Sequence, residues 1–251
     1  MGMFDKQKKK ERAVAFVDFE YMTISFRKRF GIDPDITGWY RELTARFVMD
    51  DVYFFADFTN QAMKRNISEI RKITNNVIDT QNTASHHKKD YTDFFILDAI
   101  YRTALDRGGA SNIILFSGDG HFSAAARFLR EKCDKHVICY GIETTISGQL
   151  KSCVDECVEY PNYATLKRLY YPTLARTMQK RLAETKQYLT KQNVLSQVGE
   201  ETNINPTYLH DSLEEMILDG YVKEKEEWIS SRKRTQMLSV DWDRLKQDEI
   251  L

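Results

Sequence analysis

Nearly continuous apolar runs, each bounded by polar or turn residues, recur through the first 160 residues. They predict β-strands at Ala13–Phe19, Val52–Phe58, Asn76–Thr80, Asn112–Ser117 and His136–Gly141. Two of these runs, AVAFVDF and NIILFSGD, contain almost no polar residue before they reach an aspartate. A strand without apolar–polar alternation is typical of a parallel sheet that is covered by helices on both faces.

The segments between these runs have a helical pattern. Apolar residues spaced three and four apart predict helices at Trp39–Phe47, Gln61–Thr74, Thr92–Leu105 and Phe122–Glu131. Strands that alternate with helices favour an open, doubly wound parallel sheet with right-handed crossovers. The pattern therefore predicts an α/β domain over residues 12–160.

The pattern changes after Glu159. Residues 161–173 contain several tyrosines and two prolines and are interpreted as a linker. Helices are predicted at Leu174–Thr190, Val194–Thr202 and Pro206–Asp219, and extended segments at Tyr221–Trp228 and Thr235–Val240. Asn205 and Pro206 favour a helix start, and Gly220 favours its end. Three helices and a hairpin are the element order of a winged helix, so residues 174–251 are predicted to form a smaller winged-helix-like α+β domain.

Composition limits the classes of protein. The chain has 251 residues, of which 42% are hydrophobic, and its formal net charge is zero. No apolar run approaches the roughly 18 residues that a membrane span needs, and the first residues lack the apolar stretch of a signal peptide. Four cysteines in a chain of this length do not indicate a disulfide framework. We expect a cytoplasmic protein with reduced thiols and no membrane contact, in which any polyanion binds to local patches of charge.

Four acids are expected at one edge of the sheet. Asp18 ends the first predicted strand, Asp119 follows the fourth, Asp93 begins a helix, and Asp155 follows the fifth strand. Ligands of open α/β sheets bind beyond the carboxyl ends of the strands, and Mg²⁺ or Mn²⁺ prefers carboxylate oxygens. The pattern predicts a metal site. Two alternatives remain, because Asp18 could cap the next helix and Asp93 could balance a helix N-terminus. Asp98 is predicted to pair with Arg102 one turn later.

At these residues the sequence resembles the NYN domain family, a branch of the PIN-like metal-dependent nucleases. The likeness is carried by FVDFEYM (16–22), KKDYTDFFILDAIY (88–101), ILFSGDGHF (114–122) and, more weakly, SGQLKSCVDECVEY (147–160). The resemblance implies that Asp18, Asp93 and Asp119 hold the metal and act in catalysis, with Asp155 as a further ligand. It also implies that Ser117 supports the site or binds a phosphate.

Two positions depart from the family pattern. Tyr21 stands where the first motif usually has Asn, and His121 stands where S-G-D-x-D has its second Asp. A neutral imidazole still ligates Mn²⁺ or a softer ion, so His121 is kept as a candidate ligand, although the site loses one negative charge. Glu20 is a candidate to compensate for that charge.

The resemblance implies a metal-dependent ribonuclease that hydrolyses phosphodiester bonds of single-stranded RNA. The alternative is a catalytically weak or inactive RNA-binding regulatory protein that acts through protein partners. A third class is the phosphatases of the haloacid dehalogenase type. They have a second Asp at the position where this chain has Glu20, and the sequence therefore disfavours this class. Predicted substrate contacts are His87, Lys88, Lys89 and Ser117, because the basic run immediately precedes Asp93.

Other candidate contacts have competing explanations. Arg27, Lys28 and Arg29 are interpreted as solvated surface charge, and Phe58 and Tyr91 could either stack on bases or pack in the core. The helix predicted at Pro206–Asp219 holds four acids and no Lys or Arg, which fits a phosphate-lined groove poorly. The pattern therefore favours a protein partner or a second copy of the chain over direct nucleic-acid binding as the ligand of the C-terminal domain.

Overall fold

The computed structural model describes residues 10–81, 91–106, 108–185, 188–230 and 233–251. The chain divides into two compact units. The first contains residues up to 29 and 33–160, and the second contains residues 30–32 and 161–251. No helix in the described ranges is both long and apolar enough to cross a membrane.

The first unit is built on a six-stranded parallel sheet. Its strands are β1 (Arg12–Asp18), β2 (Val48–Ala56), β3 (Val77–Asp79), β4 (Asn112–Phe116), β5 (His136–Ile142) and β6 (Glu156–Tyr160). They are arranged in the order β3-β2-β1-β4-β5-β6, and every neighbouring pair is parallel. The predicted doubly wound α/β sheet is confirmed. The sixth strand was not predicted, since its exposed charges and short length hide the apolar signal, as is common for edge strands.

Helices connect these strands. They are α1 (Phe19–Phe30), α2 (Ile36–Arg46), α3 (Gln61–Lys64), α4 (Ile67–Arg71), α5 (Thr92–Leu105), α6 (Ser123–Cys133) and α7 (Gly148–Lys151), with a 3₁₀ turn at Gly120–Phe122. The single helix predicted over Gln61–Thr74 is two short helices. The side-chain amide of Asn66 donates a hydrogen bond to the carbonyl of Ala62. In a continuous α-helix, the backbone N–H of Asn66 would use this same acceptor.

The core lies on both faces of the sheet. Phe16, Leu115 and Cys139 belong to the cluster on one face, and that cluster includes residues of α5 and α6. On the other face the buried Trp39 of α2 packs edge-on against Phe116 with ring centroids 5.4 Å apart. Successive residues of a strand point to opposite faces, so a doubly covered sheet needs apolar residues at every position. This requirement explains the uninterrupted apolar runs.

The strand order places a crevice between β1 and β4. These two strands are neighbours, yet the chain runs outward from β1 through β2 and β3, and then in the other direction from β4 through β5 and β6. Such a switch in direction opens the crevice beyond the carboxyl ends where α/β proteins bind ligands. Asp18 is the last residue of β1, and Asp119 lies shortly after β4.

The second unit contains helices and one hairpin. Its elements are α8 (Tyr163–Arg168), α9 (Tyr171–Thr185), α10 (Lys191–Glu201), α11 (Pro206–Leu218), the antiparallel strands β7 (Val222–Ser230) and β8 (Lys233–Val240), and α12 (Trp242–Gln247). The predicted order of helices followed by a hairpin is found. Asn205 caps α11, with Pro206 in its first turn and Gly220 at a φ of 82° after its end. The segment interpreted as a linker carries α8 and the start of α9.

Candidate metal centre

Asp18 lies at the end of β1 and is 9% exposed. One carboxylate oxygen accepts a 2.9 Å hydrogen bond from the backbone N–H of Tyr21, and the other accepts a 3.3 Å bond from the Ser117 hydroxyl. The first bond satisfies an unpaired donor in the first turn of α1. Asp18 therefore caps this helix, as one of the two interpretations predicted, while it remains tied to β4 through Ser117.

Ser117 is completely buried directly after β4. Its hydroxyl donates to Asp18 and accepts a 3.2 Å hydrogen bond from the backbone N–H of Asp119. A side chain with no exposed surface cannot contact a phosphate. Of the two roles that the resemblance implied for Ser117, the structure favours support of the site and argues against substrate contact.

Asp93, Asp119 and His121 form the acidic centre. Each offers a ligand atom, and these atoms all lie within 4.8 Å of one another. Asp119 Oδ1 accepts a 2.8 Å hydrogen bond from the backbone N–H of His121 and lies 3.2 Å from its Nδ1. Asp93 Oδ2, from the first turn of α5, lies 3.9 Å from the same nitrogen. Two segments that are separate in sequence, the first turn of α5 and the loop after β4, thus bring two carboxylates and one imidazole together.

The donor set fits a divalent cation. Carboxylate oxygens are preferred by Mg²⁺ and Mn²⁺, and an imidazole suits Mn²⁺ and later transition metals. The side chains of Asp93 and Asp119 are 29% and 40% exposed, so an ion can reach them from solvent. The group that the described residues form contains neither Asp18 nor Glu20. One carboxylate oxygen of Glu20 accepts the backbone N–H of Asp57 at 2.7 Å, after β2.

Asp155, the fourth predicted ligand, lies at the opposite end of the sheet. Its carboxylate accepts hydrogen bonds from the Arg130 guanidinium and from the backbone N–H of Val137, both at 2.8 Å. Val137 is the second residue of β5, so this is the amino edge of the sheet. The prediction went wrong because the chain returns to the amino edge before β6 begins, as every parallel crossover must.

Tyr21, the first departure from the family pattern, holds the loop after β5. The backbone N–H of Ile142 donates to the Tyr21 hydroxyl at 3.0 Å, and the Thr145 hydroxyl donates to the carbonyl of Ile142 at 2.9 Å. The two hydroxyls lie 2.5 Å apart, so a bond from Tyr21 to Thr145 closes a ring of three hydrogen bonds. Burial raises the pKa of Tyr21 above its usual value, which keeps the phenol protonated.

Gly118 explains why this tyrosine and the S-G-D motif occur together. A Cβ on Gly118 would lie 2.5 Å from the carbonyl oxygen of Thr145 and 2.6 Å from the Tyr21 ring. Only a glycine allows the β4 loop to pass this close to α1 and to the loop after β5. Tyr21 is thus a structural residue that fixes the backbone next to Asp119.

The predicted aromatic and basic contacts differ in their outcome. Phe58 is 7% exposed and stacks on Phe19, so it belongs to the core. Tyr91 is 37% exposed and packs against Phe94, which is 66% exposed and follows Asp93 directly. Phe94 was not predicted, and no local signal marks it, because Phe95, Tyr101 and Leu105 of the same helix are exposed apolar residues too. The predicted contacts His87, Lys88 and Lys89 lie outside the described residues.

The predicted ion pair between Asp98 and Arg102 is confirmed. The carboxylate of Asp98 lies 2.8 Å from Arg102 Nε, one helical turn away, and both side chains are more than half exposed. The acids of α5 thus divide into Asp93 at the centre and Asp98 on the surface.

Comparisons with known proteins bear on the fold and on the family of the chain. A solved structure of a protein of unknown function from Vibrio parahaemolyticus RIMD 2210633 matches with a TM-score of 0.55 and 22% identity, covering 62% of this chain and 97% of the other. This likeness supports the fold alone. No curated protein matches the chain. The profile of the NYN domain matches residues 12–161, which contain the whole sheet and the acidic centre. The chain therefore belongs to the NYN domain family, a PIN-like nuclease family.

Proposed function

We propose that the chain is a metal-dependent nuclease that hydrolyses phosphodiester bonds of single-stranded RNA. The observation that carries the proposal is the meeting of Asp93, Asp119 and His121 within 4.8 Å, beyond the carboxyl ends of β1 and β4. Membership of a nuclease family supports a nucleic-acid substrate. Asp18 supports the centre through the buried Ser117.

These residues have separate roles in the proposed reaction. Asp93, Asp119 and His121 would hold Mg²⁺ or Mn²⁺, which when bound would neutralise charge at the scissile phosphate and activate water for attack. Ser117 and Asp18 fix the backbone at Asp119, so the carboxylate needs little reorganisation during the reaction. A carboxylate of the centre accepts the proton of the attacking water.

A single strand is the proposed substrate because two exposed aromatic residues lie close to Asp93 in sequence. Phe94 and Tyr91 flank Asp93 in sequence and pack on each other with ring centroids 6.3 Å apart. Stacking on such rings stabilises unpaired bases by about 1–3 kcal/mol per base. The basic run of His87, Lys88 and Lys89 is proposed to hold the phosphate backbone ahead of Asp93.

A second candidate is an RNA-binding regulator that cleaves weakly. The observation that favours it is His121, which replaces the second acid of the S-G-D-x-D pattern and leaves the centre with one negative charge fewer. In this candidate the second unit binds a protein partner or a second copy of the chain, because α11 carries acids and no Lys or Arg.

Cleavage of labelled single-stranded RNA in Mn²⁺ or Mg²⁺, with a DNA strand of the same sequence in parallel, tests the proposal. We expect Asp119→Asn to abolish cleavage and Asp18→Asn, which removes a support of the centre, to reduce it about 10–100-fold. Asp98→Asn is the matched control, because it removes an acid of α5 that pairs on the surface, and it should cleave like the wild type. Cleavage that survives Asp119→Asn, or is lost equally in Asp98→Asn, would contradict the metal centre.

His121→Asp separates the two candidates. If the wild type binds RNA without cutting it and the variant gains cleavage, the regulatory candidate is supported. If the wild type cuts and the variant changes only the preference between Mn²⁺ and Mg²⁺, the nuclease candidate stands. DNA cleaved faster than RNA would overturn the assigned substrate.

A further inference from the structure

A cleft of about 570 Å³ in the first unit opens beside the acidic centre. It lies between α1 and the loop after β5. Tyr21 and Gly118 form part of its lining, and the other lining side chains carry hydroxyl groups, positive charges and one carboxylate: Ser25, Lys28, Arg29, Asp119, Thr144 and Thr145. Because Asp119 belongs both to the cleft and to the centre, a ligand in the cleft would extend to the centre.

Lys28 differs from its two basic neighbours. Arg27 bonds to Asp33, and Arg29 donates two hydrogen bonds to Glu143, at 2.8 and 3.2 Å. These ion pairs explain both arginines as surface structure. In the described ranges Lys28 has neither an ion pair nor a hydrogen bond of its side chain, so its positive charge is available to a ligand.

The loop after β5, which lines the cleft together with α1, has an unusual backbone conformation and is held by hydrogen bonds. Thr144 has a φ of 66°, a left-handed conformation that is unfavourable for a β-branched residue. The next residue, Thr145, is fixed by the ring of hydrogen bonds with Tyr21 and Ile142. A loop held in a strained conformation by its surroundings presents a preformed surface, so little ordering is needed when a ligand binds.

We propose that this cleft binds the sugar–phosphate backbone of the substrate strand next to the scissile phosphate, with Lys28 as the phosphate contact. The inference rests on the proposed function for the identity of the strand. Lysine and hydroxyl groups are the usual contacts of phosphate and sugar oxygens. The cleft volume lies within the range of about 300–1,000 Å³ that small-ligand pockets have, which suits a nucleotide unit. The cleft therefore determines the path of the strand away from the centre.

The test measures binding without cleavage. Affinity of the full chain for fluorescently labelled oligo-U and oligo-A is followed by anisotropy in EDTA over a series of salt concentrations, for wild type and Lys28→Gln. We expect a several-fold loss of affinity that is the same for both sequences. The slope of log affinity against log salt should fall by about 0.7, the value for one phosphate contact on a single strand. Lys132→Gln is the matched control, because Lys132 is exposed in the last turn of α6 at the amino edge, and it should leave affinity and slope unchanged.

The outcomes separate this inference from the proposed function. Unchanged affinity and slope in Lys28→Gln overturn the inference, even if the wild type cleaves RNA. Reduced affinity in Lys28→Gln supports it, even if no metal gives cleavage. An equal loss in Lys132→Gln overturns it, because the effect would then be one of overall charge. Lys28 is exposed, so an unchanged melting temperature shows that the variant folds normally.

Discussion

The two edges of the six-stranded sheet use acidic residues differently. At the carboxyl edge Asp119 lies with Asp93 and His121, and no Lys or Arg of the described chain forms an ion pair with Asp119. At the amino edge Asp155 pairs with Arg130, and Glu156 pairs with Arg46. An acid near the end of a strand is therefore not in itself a sign of a site. The difference lies in whether a fixed cation already neutralises it.

Helix direction explains the difference. In a parallel α/β sheet the helices begin at the carboxyl edge and end at the amino edge. Helix N-termini favour negative charge and C-termini favour positive charge. Arg130 lies in the last turn of α6, and Arg46 in the last turn of α2. The amino edge thus supplies cations that the acids there neutralise, whereas the carboxyl edge can accumulate acids and bind a cation from solution.

The largest expected effect is on metal binding. Asp119→Asn should lower the affinity for Mn²⁺ by more than about 100-fold, because even loss of a residue that only supports a metal ligand costs about 10–100-fold. Asp155→Asn, at the other edge, should bind Mn²⁺ as the wild type does. Titration calorimetry measures both. Equal losses in the two variants would remove the distinction between the edges.

The second effect is on stability, where Asp155 at the amino edge should matter most. Asp155→Ala removes a charge-assisted bond to Arg130 and leaves the N–H of Val137 without its side-chain acceptor, so the free energy of unfolding should fall by about 2–3 kcal/mol. Urea unfolding measures the change. Asp98→Ala, which removes an exposed partner of Arg102, should cost below about 0.5 kcal/mol. A stability loss in Asp98→Ala as large as in Asp155→Ala would contradict this assignment.

The same contrast shows what the sequence could reveal. The apolar runs, Asp18 and Asp119 were predictable, because a doubly covered strand needs continuous apolar residues and its last residue faces the crevice. The start and end of α5 were predicted correctly for a similar reason, since its apolar spacing is regular. The amino-edge position of Asp155 was not predictable from local pattern, because it depends on a sixth strand whose alternating exposure carries no strong signal.

The remaining features that the sequence did not predict depend on residues that are close in space but distant in the chain. Nothing local to Tyr21 indicates that its hydroxyl reaches a loop more than a hundred residues later. Lys28 is one of three consecutive basic residues, and only the ion pairs of Arg27 and Arg29 distinguish it. Such distinctions follow from the partners that the fold supplies, which one sequence does not record.

The third effect concerns the loop that borders the carboxyl edge. Tyr21→Phe keeps the ring beneath Gly118 but removes the acceptor of the Ile142 N–H, so the free energy of unfolding should fall by about 1–2 kcal/mol. Faster amide exchange of Ile142, measured by NMR, would locate the change. Tyr163→Phe is the control, because its side chain is 71% exposed on the second unit. Unchanged exchange at Ile142 would show that the ring of hydrogen bonds does not hold this loop.

The smallest effect belongs to the amino edge and depends on pH. Two hydrogen bonds from Arg46, at 2.8 and 3.0 Å, hold the pKa of Glu156 below its usual value. Because the folded pKa is depressed, the stabilisation is complete above the unfolded pKa of about 4.3 and is lost as pH falls through the folded pKa. Glu156→Gln should therefore cost below about 1 kcal/mol at pH 7, the usual range for a partly exposed pair.

Denaturant unfolding at pH 7 and at pH 3 tests this sign. The difference between wild type and Glu156→Gln should shrink at pH 3, where the carboxyl group approaches the neutral state that the amide mimics. Glu159→Gln is the matched control on the same strand, because its carboxylate lies 3.9 Å from Lys151 and both side chains are well exposed. If Glu156→Gln lowers the free energy of unfolding by the same amount at pH 3 as at pH 7, the stabilisation comes from packing of the Arg46 side chain and not from the charge of Glu156.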